Sequence, residues 1–505
     1  MLKRIRVTLA SVFFIGLTLL FLDFTGTLHH WLGWLGKVQF LPAVLALNVV
    51  VVVALVALTL VFGRIYCSVV CPLGVMQDLF GWLGKRSRKN RYTYSKARQG
   101  LRACVFTFFL ISLVLGGGVL MQLLAPYSAF GRIVTMLLQP LWMLGNNVLA
   151  SLAERYDSYA FYSTDVWMRS VPVFAVALLT LVVLAVLAWR NGRTYCNTIC
   201  PVGTLLSALA RFSWFKVRFD ADKCRSCSLC TKNCKAACID FKSHTVDYTR
   251  CVVCGDCLES CKFGALAYSP KRSQNSQQSQ PSQQPQNSQS SQSSQQSQPS
   301  RRSFLLATAL ATTAVLAQEK KKVDGGLAGI VGKKAPGRNT PIVPPGAQSL
   351  KNMQTKCTGC QLCISKCPNG VLRPGTDLWH LMQPVMDFDR GYCRPECTRC
   401  SDVCPAGAIK PIDAVDKSSI QIGHAVVSAD HCLSATGEAE CGNCARHCPA
   451  KAIEMVPTDP ADDLSPAVPA VNEEACIGCG ACEYLCPVRP LSAIHVEGHE
   501  AHRYI

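Results

Sequence analysis

The sequence predicts an α-helical membrane domain followed by small α+β modules built around groups of cysteines. Apolar residues form 49% of the 505 residues and only 16% are charged. The apolar residues are concentrated in long runs before residue 190, whereas twenty-five of the thirty cysteines lie after residue 223. A chain of this length exceeds what one hydrophobic core usually serves, so we expect several units.

Four apolar segments predict membrane-spanning helices. They lie near residues 7–23, 40–62, 103–124 and 171–189. Each has close to the roughly 20 apolar residues that a helix needs to cross a bilayer. We therefore predict a four-helix transmembrane domain.

Basic residues predict how these helices are oriented. The net charge is +19, and the densest basic run, Lys85 to Arg102, lies between the second and third helices. Such a run is typical of a cytoplasmic loop under the positive-inside rule and does not require a nucleic-acid partner. The stretches 23–40 and 125–170 hold few basic residues and are predicted to lie outside. An even number of crossings would return residues 190–302 to the cytoplasm.

Two cysteine runs follow the membrane domain, each spaced C-x2-C-x2-C-x3-C. This is the spacing of bacterial ferredoxin modules that bind two [4Fe-4S] clusters, in which the fourth cysteine of each run ligates the other cluster. We therefore expect Cys261 to complete the first site and Cys234 the second. Cys238 is an alternative ligand, because Cys234 lacks the usual following proline. The two runs are Cys224, Cys227, Cys230, Cys234 and Cys251, Cys254, Cys257, Cys261.

Four more quartets form an internal repeat in the second half, and each ends in Cys-Pro. In two of them the first spacing is longer, which we interpret as loop insertions with ligation retained. Spacing does not fix how the motifs pair, and we prefer first with fourth and second with third over sequential pairing. The quartets are Cys357, Cys360, Cys363, Cys367; Cys393, Cys397, Cys400, Cys404; Cys432, Cys441, Cys444, Cys448; and Cys476, Cys479, Cys482, Cys486.

Disulfides and structural zinc are the competing interpretations of these cysteines. Neither explains triplets at two-residue spacing followed by a fourth cysteine at three, a pattern that recurs with small variations six times. We therefore predict six [4Fe-4S] clusters, with the twenty-four cysteines as their iron ligands. The chemistry expected of such clusters is one-electron transfer.

A duplicated motif holds four further cysteines at the predicted cytoplasmic ends of helices two and four. The pattern Gly-Arg-x-Tyr-Cys-x3-Cys-Pro-x-Gly occurs at residues 63–74 and again at 192–203. Cysteines at i and i+4 share one helical face, so packing of the two copies would bring four thiols together. They could bind a seventh cluster or a metal, switch as disulfides, shape a quinone pocket, or simply pack. The four are Cys67, Cys71, Cys196 and Cys200.

Two segments separate the halves of the chain. Residues 273–299 contain only Ser, Gln, Asn and Pro, which predicts a disordered linker. Ser-Arg-Arg-x-Phe-Leu then precedes a short apolar run that ends at Ala317, and this resembles a twin-arginine export signal. The sequence leaves open whether it is cleaved after Ala317 or stays as a fifth membrane anchor. The predicted units are 1–215 (transmembrane), 216–272 (cytoplasmic two-cluster module), 273–299 (linker), 300–322 (signal or anchor) and 323–505 (periplasmic four-cluster domain).

Together these motifs resemble a fusion of NapH and NapG, electron-transfer proteins of the periplasmic nitrate reductase system. The helices, the doubled Cys-x3-Cys-Pro motif and the first cysteine runs are similar to NapH, and the part after Ser300 is similar to NapG. The first half also shares its motifs with NosR-type polyferredoxins. In the Nap family the two parts are usually separate subunits.

The resemblance implies a protein of the bacterial inner membrane that oxidises quinol and passes electrons to a periplasmic reductase or a c-type cytochrome. The quinone, the terminal acceptor and the direction of electron flow are left open. The alternative function is redox maintenance or maturation of a periplasmic metalloenzyme, of a NosR-like or metal-reducing kind. In that case the four membrane thiols would act on a metal or on a partner enzyme.

Overall fold

The computed structural model describes residues 2–88, 92–270, 331–459 and 465–505. The predicted linker at 273–299 and the segment at 300–322 lie outside these residues, and both stay predictions.

The first half is a helical bundle. Among the described residues, three helices are long and apolar enough to cross a membrane: Leu2–Leu22, Pro126–Glu154 and Val171–Asn191. The first and last coincide with predicted spans, and together they suggest membrane association. The helices are α1 Leu2–Leu22, α2 His29–Leu32, α3 Trp34–Lys37, α4 Phe40–Leu45, α5 Val49–Phe62, α6 Tyr66–Val69, α7 Pro72–Arg88, α8 Gln99–Val114, α9 Gly118–Leu124, α10 Pro126–Ile133, α11 Gln139–Glu154, α12 Val171–Asn191, α13 Thr194–Thr198 and α14 Pro201–Ala210.

The second and third predicted spans are each interrupted. Residues 40–62 divide into α4 and α5, because Leu47 adopts a positive φ of 55° and Asn48 caps the new helix by accepting a hydrogen bond from the Val51 N–H. Residues 103–124 divide into α8 and α9 at Gly116, whose φ is 73°. The expectation of four continuous spanning helices is therefore not confirmed.

A long apolar helix lies where the sequence predicted an outer loop. Residues 126–154 run from α10 through a π-helical turn at Val134–Leu138 into α11. Arg132 in this helix is fully buried and donates to the carbonyl oxygen of Gln122. The apolar pattern did not indicate this helix because a charged residue interrupts it. The location of this segment outside the membrane stays a prediction.

The two ends of α1 contact different parts of the chain. At its beginning, Lys3 Nζ lies 3.4 Å from Asp256 Oδ1 of the first cysteine module. Just after its end, Asp23 Oδ2 lies 2.6 Å from Lys366 Nζ of the second half. A helix of 21 residues is about 31 Å long at 1.5 Å per residue. The two cysteine-rich parts therefore lie at opposite ends of α1.

Residues 215–270 form a small α+β module. An outer pair of antiparallel strands joins its beginning to its end, and an inner hairpin lies between the two cysteine runs. Two short helices carry the third cysteine of each run. The elements are β1 Phe215–Phe219, α15 Leu229–Asn233, β2 Ile239–Asp240, β3 Thr245–Val246, α16 Asp256–Ser260 and β4 Leu266–Pro270.

The same arrangement recurs around the third and fourth quartets of the second half. There β7 pairs with β10 on the outside and β8 with β9 as the inner hairpin, while β5 and β6 form a hairpin between the first and second quartets. The elements are α17 Leu350–Lys356, α18 Leu362–Lys366, β5 Leu372–Pro374, β6 Pro384–Met386, α19 Arg399–Asp402, α20 Ala414–Ser418, β7 Ile420–Val427, a 3-10 turn Ala429–His431, α21 Asn443–Arg446, β8 Ile453–Pro457, β9 Ala467–Val471, α22 Ala481–Leu485 and β10 Ile494–Tyr504.

Candidate metal centres

The four regular cysteine motifs share one backbone conformation that turns their thiols inward. In each, the residue before the second cysteine and the residue after it both adopt positive φ, a region that most residues avoid. The backbone N–H of the first of these residues points to sulfur in two motifs, with Ser226 N 3.4 Å from Cys224 Sγ and Gly359 N 3.4 Å from Cys357 Sγ. The left-handed residues are Ser226, Ser228, Val253, Gly255, Gly359, Gln361, Gly478 and Gly480.

In the first module each run is completed by a cysteine of the other. One cavity is lined by three cysteines of the first run together with Cys261. A second cavity is lined by three cysteines of the second run together with Cys234. This is the exchange of fourth cysteines expected from the spacing. Both sites offer the four thiols that a cubane cluster takes from a protein.

Cys238 lies in the second of these sites. Its side chain is buried, lines the same cavity as Cys234, and its sulfur is 3.5 Å from Cys234 Sγ. The structure therefore places five cysteines around one site. Both Cys234 and Cys238 are positioned to supply the fourth thiolate.

The third and fourth quartets of the second half pair with each other. Cys486 of the fourth lines one cavity with the first three cysteines of the third, which are Cys432, Cys441 and Cys444. In return, Cys448 lies close enough to Cys476 and Cys479 for its charge to act on both. The outer pairing of β7 with β10 brings these two motifs together.

The first and second quartets pair in the same way. Cys404 lies within electrostatic range of Cys357, Cys360 and Cys363. Cys367 lies within the same range of Cys393 and Cys400. Pairing is thus sequential, and our preference for first with fourth and second with third was wrong.

This pairing predicts a non-additive loss of iron. Cys441→Ser and Cys486→Ser should each remove the same cluster, about four iron atoms per chain, because both thiols line one site. The double variant should therefore lose no more iron than either single one. The measurement is iron and acid-labile sulfide per chain in anaerobically purified protein. Cys441→Ser combined with Cys448→Ser is the matched control and should lose about eight iron atoms, since those thiols face different sites. An additive loss in the first pair would contradict the sequential pairing.

Burial makes some of these thiols poor free thiolates. It raises the pKa of Cys393 to about 11 and that of Cys479 to about 12. Deprotonation of these two thiols at neutral pH therefore needs compensating positive charge, which iron would supply when bound.

The paired sites of the second half follow one another in space. The backbone N–H of Cys393 donates to the carbonyl oxygen of Cys479 at 2.9 Å, which joins the second site to the fourth. The first site faces the bundle, where a side chain at Gly131 would overlap the carbonyl oxygen of Cys360. The order outward from the bundle is therefore first, second, fourth and third.

The structure also brings together the four cysteines of the duplicated motif. Cys67, Cys71, Cys196 and Cys200 are all buried, and their charges would act on one another. The interpretation of the motif as two copies that pack together is thus supported. The exposed Cys104 lies apart in α8.

Sequence reasoning missed several residues around these sites. The arginines of the duplicated motif, Arg64 and Arg193, are fully buried beside its cysteines. The duplication itself was the available signal, because both arginines are part of the repeated pattern. Lys366 and Asp23 gave no signal, since their ion pair joins segments more than 300 residues apart.

The chain matches known families at four places. A 4Fe-4S binding domain matches twice in the first half, at residues 44–91 and 173–220, which contain the two copies of the duplicated motif. A second 4Fe-4S binding domain matches residues 353–373, and a 4Fe-4S dicluster domain matches residues 439–489. The dicluster match covers most of the third and fourth quartets. No solved structure matches the chain.

Curated relatives are ferredoxin-type proteins. The chain is 25% identical to the putative electron transport protein YccM of Escherichia coli over 225 residues, which are 44% of this chain and 55% of YccM. It is 34% identical to the methylamine utilization ferredoxin-type protein MauM of Methylobacillus flagellatus, over 29% of this chain and 64% of MauM. It is 29% identical to the ferredoxin-type protein NapG of Escherichia coli, over 32% of this chain and 74% of NapG.

These relatives confirm, at modest identity, the resemblance to Nap-like ferredoxin-type proteins. They also support an electron-transfer role with 4Fe-4S domains. The chain spans between 38% and 64% of the length of the first three curated relatives, the first being an uncharacterised protein of Methanocaldococcus jannaschii.

Proposed function

We propose that the chain is an inner-membrane electron conduit that takes electrons from quinol and delivers them to a periplasmic reductase, for example a nitrate reductase, or to a c-type cytochrome. The twenty-four cysteines of the six quartets hold six [4Fe-4S] clusters. Residues 216–272 lie in the cytoplasm and residues 323–505 in the periplasm. Each bound cluster would accept and release one electron at a time.

The observation that carries this proposal is the linear order of the thiol sites. Two lie in the module at the beginning of α1, and four follow one another beyond its other end. A row of one-electron sites suits the division of a two-electron quinol oxidation into single steps. The protein's own contribution is to fix the spacing of the sites and to set their electrostatics through burial and N–H···S contacts.

Cysteine exposure differs among the sites of the row. Cys227 is exposed in one site of the first module. The site of Cys357, Cys360 and Cys363 in the second half is lined by buried cysteines. The exposed thiol supports exchange of electrons with a partner protein at the first module.

A quinol reduction assay tests the proposal. The full chain, purified anaerobically and returned to lipid, is mixed with a reduced menaquinol analogue, and the clusters are followed by electron paramagnetic resonance. We expect cluster signals of reduced [4Fe-4S] to develop, and dithionite serves as the control that reduces every intact cluster.

The opposite outcome favours the alternative function. If dithionite reduces the clusters but no quinol does, and the protein instead reduces a metal ion in a thiol-dependent reaction, the quinol proposal fails. The buried thiols of the duplicated motif would then act in metal reduction or maturation of a periplasmic metalloenzyme.

A further inference from the structure

The two copies of the duplicated motif pack against each other around an approximate twofold axis. Arg64 of the first copy donates to the carbonyl oxygen of Cys196 at 3.1 Å, and Arg193 of the second donates to that of Cys67 at 2.6 Å. Each arginine thus fixes the cysteine loop of the other copy. The four thiols lie between these two reciprocal hydrogen bonds.

Each cysteine of this quartet is at most 4% exposed. Three of the sulfurs accept hydrogen bonds. Gln77 Nε2 lies 3.2 Å from Cys196 Sγ, Gly203 N lies 3.3 Å from Cys200 Sγ, and Arg64 Nη2 lies 3.8 Å from Cys67 Sγ. The ferredoxin motifs place backbone N–H groups on Cys224 and Cys357 at similar distances. Hydrogen bonds to sulfur are one of the means by which proteins tune cluster potentials.

The positive charge of a buried arginine beside the quartet favours binding of an anion there. Arg193 is neutralised by Asp78, whose Oδ1 lies 2.8 Å from its Nε. Arg64 is equally buried, but within the described part of the chain its partners are neutral: an amide oxygen of Asn197, two carbonyl oxygens, and Cys67 Sγ at 3.8 Å. A buried guanidinium without a counter-charge is costly. Thiolates bound to an iron–sulfur cluster, whose net charge is negative, would supply that counter-charge.

Similarity to a known family points to a cluster at the quartet. The 4Fe-4S binding family matches the chain twice over the two copies, yet each copy supplies only two cysteines of the motif. A cubane takes four thiolates, so the two copies together provide one complete ligand set.

The quartet lies between the two groups of clusters. On one side, Arg64 donates to the carbonyl oxygen of Thr249, two residues before Cys251 of the first module. On the other side, Tyr66, adjacent to Cys67, accepts from the Phe40 N–H and donates to Gln39.

The path continues from there to the second half. A methyl group at Gly36 would lie 3.0 Å from Tyr127 Oη and 3.6 Å from Pro405 Cβ, next to Cys404. Tyr127 is in turn within electrostatic range of Tyr66, Cys360 and Cys404. Packed side chains therefore join the quartet to the first site of the second half.

We propose that Cys67, Cys71, Cys196 and Cys200 hold one [4Fe-4S] cluster shared by the two copies of the motif, and that this site relays electrons between the two ferredoxin-type parts. In each relay step one electron leaves a reduced site and enters the neighbouring oxidised site, and no bond is made or broken. The inference rests on the proposed conduit function and adds to it the link across the bundle.

Iron content gives the first test. The anaerobically purified full chain should contain about 28 iron atoms, and Cys71→Ser combined with Cys200→Ser should contain about 24. Cys104→Ser, which removes an exposed thiol elsewhere in the bundle, should keep the iron content of the unmodified chain. About 24 iron atoms in the unmodified chain, with no loss in the double variant, would overturn the proposal.

A second variant tests the site without removing its ligands. Arg64→Gln takes away a positive charge beside the quartet, so it should lower the reduction potential of one cluster signal in a redox titration while the iron content stays unchanged. If the reduction potentials of all clusters are the same in this variant and in the unmodified chain, the assignment of a cluster to the quartet is wrong. This test remains informative if the double cysteine variant does not fold.

The two proposals fail separately. If the double variant loses about four iron atoms but no quinol reduces any cluster, the seventh site stands and the quinol donor is wrong. If quinol reduces the clusters of both parts equally in the unmodified chain and in the double variant, the relay is wrong and the conduit function stands.

Discussion

Replacing Lys366 by methionine is expected to weaken the attachment of the second half of the chain to the helical bundle. Lys366 and Asp23 are almost completely buried, and their charged atoms lie 2.6 Å apart. The Lys366 ammonium also donates to the carbonyl oxygen of Asp23. Removing one partner of a buried ion pair leaves the other charge uncompensated, which typically costs about 3–5 kcal/mol.

The rest of the docking surface is larger than the ion pair. Gln139 Nε2 donates to the carbonyl oxygen of Ser365 at 3.1 Å, and the Arg373 guanidinium lies 4.7 Å from the centre of the Trp167 ring. Apolar side chains of the bundle and of the second half also share buried core clusters. Loss of the ion pair should therefore weaken the docking of the two halves without abolishing it.

A protease site inserted between residues 323 and 330 allows docking to be measured. After cleavage of the unmodified chain, the fragment that contains residues 331–505 should stay with the membrane fraction, because it is docked on the bundle. In Lys366→Met a larger share of this fragment should appear in the soluble fraction. Lys351→Met, which changes an exposed lysine of α17, is the control and should stay docked.

A double variant distinguishes the cost of an uncompensated buried charge from the cost of altered side-chain packing. Asp23→Asn combined with Lys366→Met removes both charges and keeps an oxygen that can accept from Thr25 and from the Gly26 N–H. Docking should be partly restored, since the cost of a lone buried charge is gone. Equal retention of the fragment in Lys366→Met and in the unmodified chain would show that the ion pair does not hold the halves together.

The exchange of fourth cysteines in the first module could be predicted from the sequence because it depends on local geometry. Short spacings place three thiols in one turn, and left-handed residues such as Ser226 and Gly255 shape that turn. The pairing of motifs in the second half depends instead on the register of β7 with β10, strands that begin 74 residues apart. Spacing alone carries no information on such a contact, and our preferred pairing was wrong.

In the membrane domain, too, some features could be predicted from the sequence and others could not. Uniformly apolar runs predicted α1 and α12 correctly, because such a run has few alternatives to a buried or membrane helix. Hydropathy could not show that Leu47 and Gly116 break two of the predicted helices, or that Arg132 is buried within another and donates to the Gln122 carbonyl oxygen. The duplication predicted that four thiols could meet. The buried Arg64 beside them, which has no acidic partner among the described residues, emerged only in three dimensions.

Replacing Gly74 by alanine is expected to disrupt the packing of the four thiols, because the added methyl group would collide with the backbone of Cys67. A methyl group at Gly74 would overlap the carbonyl oxygen of Cys67 and lie 3.4 Å from Arg193 Nη1. The matching position of the second copy, Gly203, faces the carbonyl oxygen of Cys196 in the same way. Because backbone atoms cannot move aside at low cost in energy, overpacking here should cost about 3 kcal/mol, the upper end of the usual range.

Gly100→Ala provides the matched control, since Gly100 also lies in a helix but a methyl group there would have no neighbour within 4 Å. That variant should be neutral or stabilised by up to about 1 kcal/mol, because alanine favours the helix over glycine. Gly74→Ala should lower the melting temperature and, if the quartet holds a cluster, lose about four iron atoms per chain. Calorimetry in detergent and an iron assay on the same samples measure both effects. Equal melting temperatures and equal iron contents in the two alanine variants would contradict the close approach of Gly74 to Cys67, and with it the tightly packed quartet on which the relay depends.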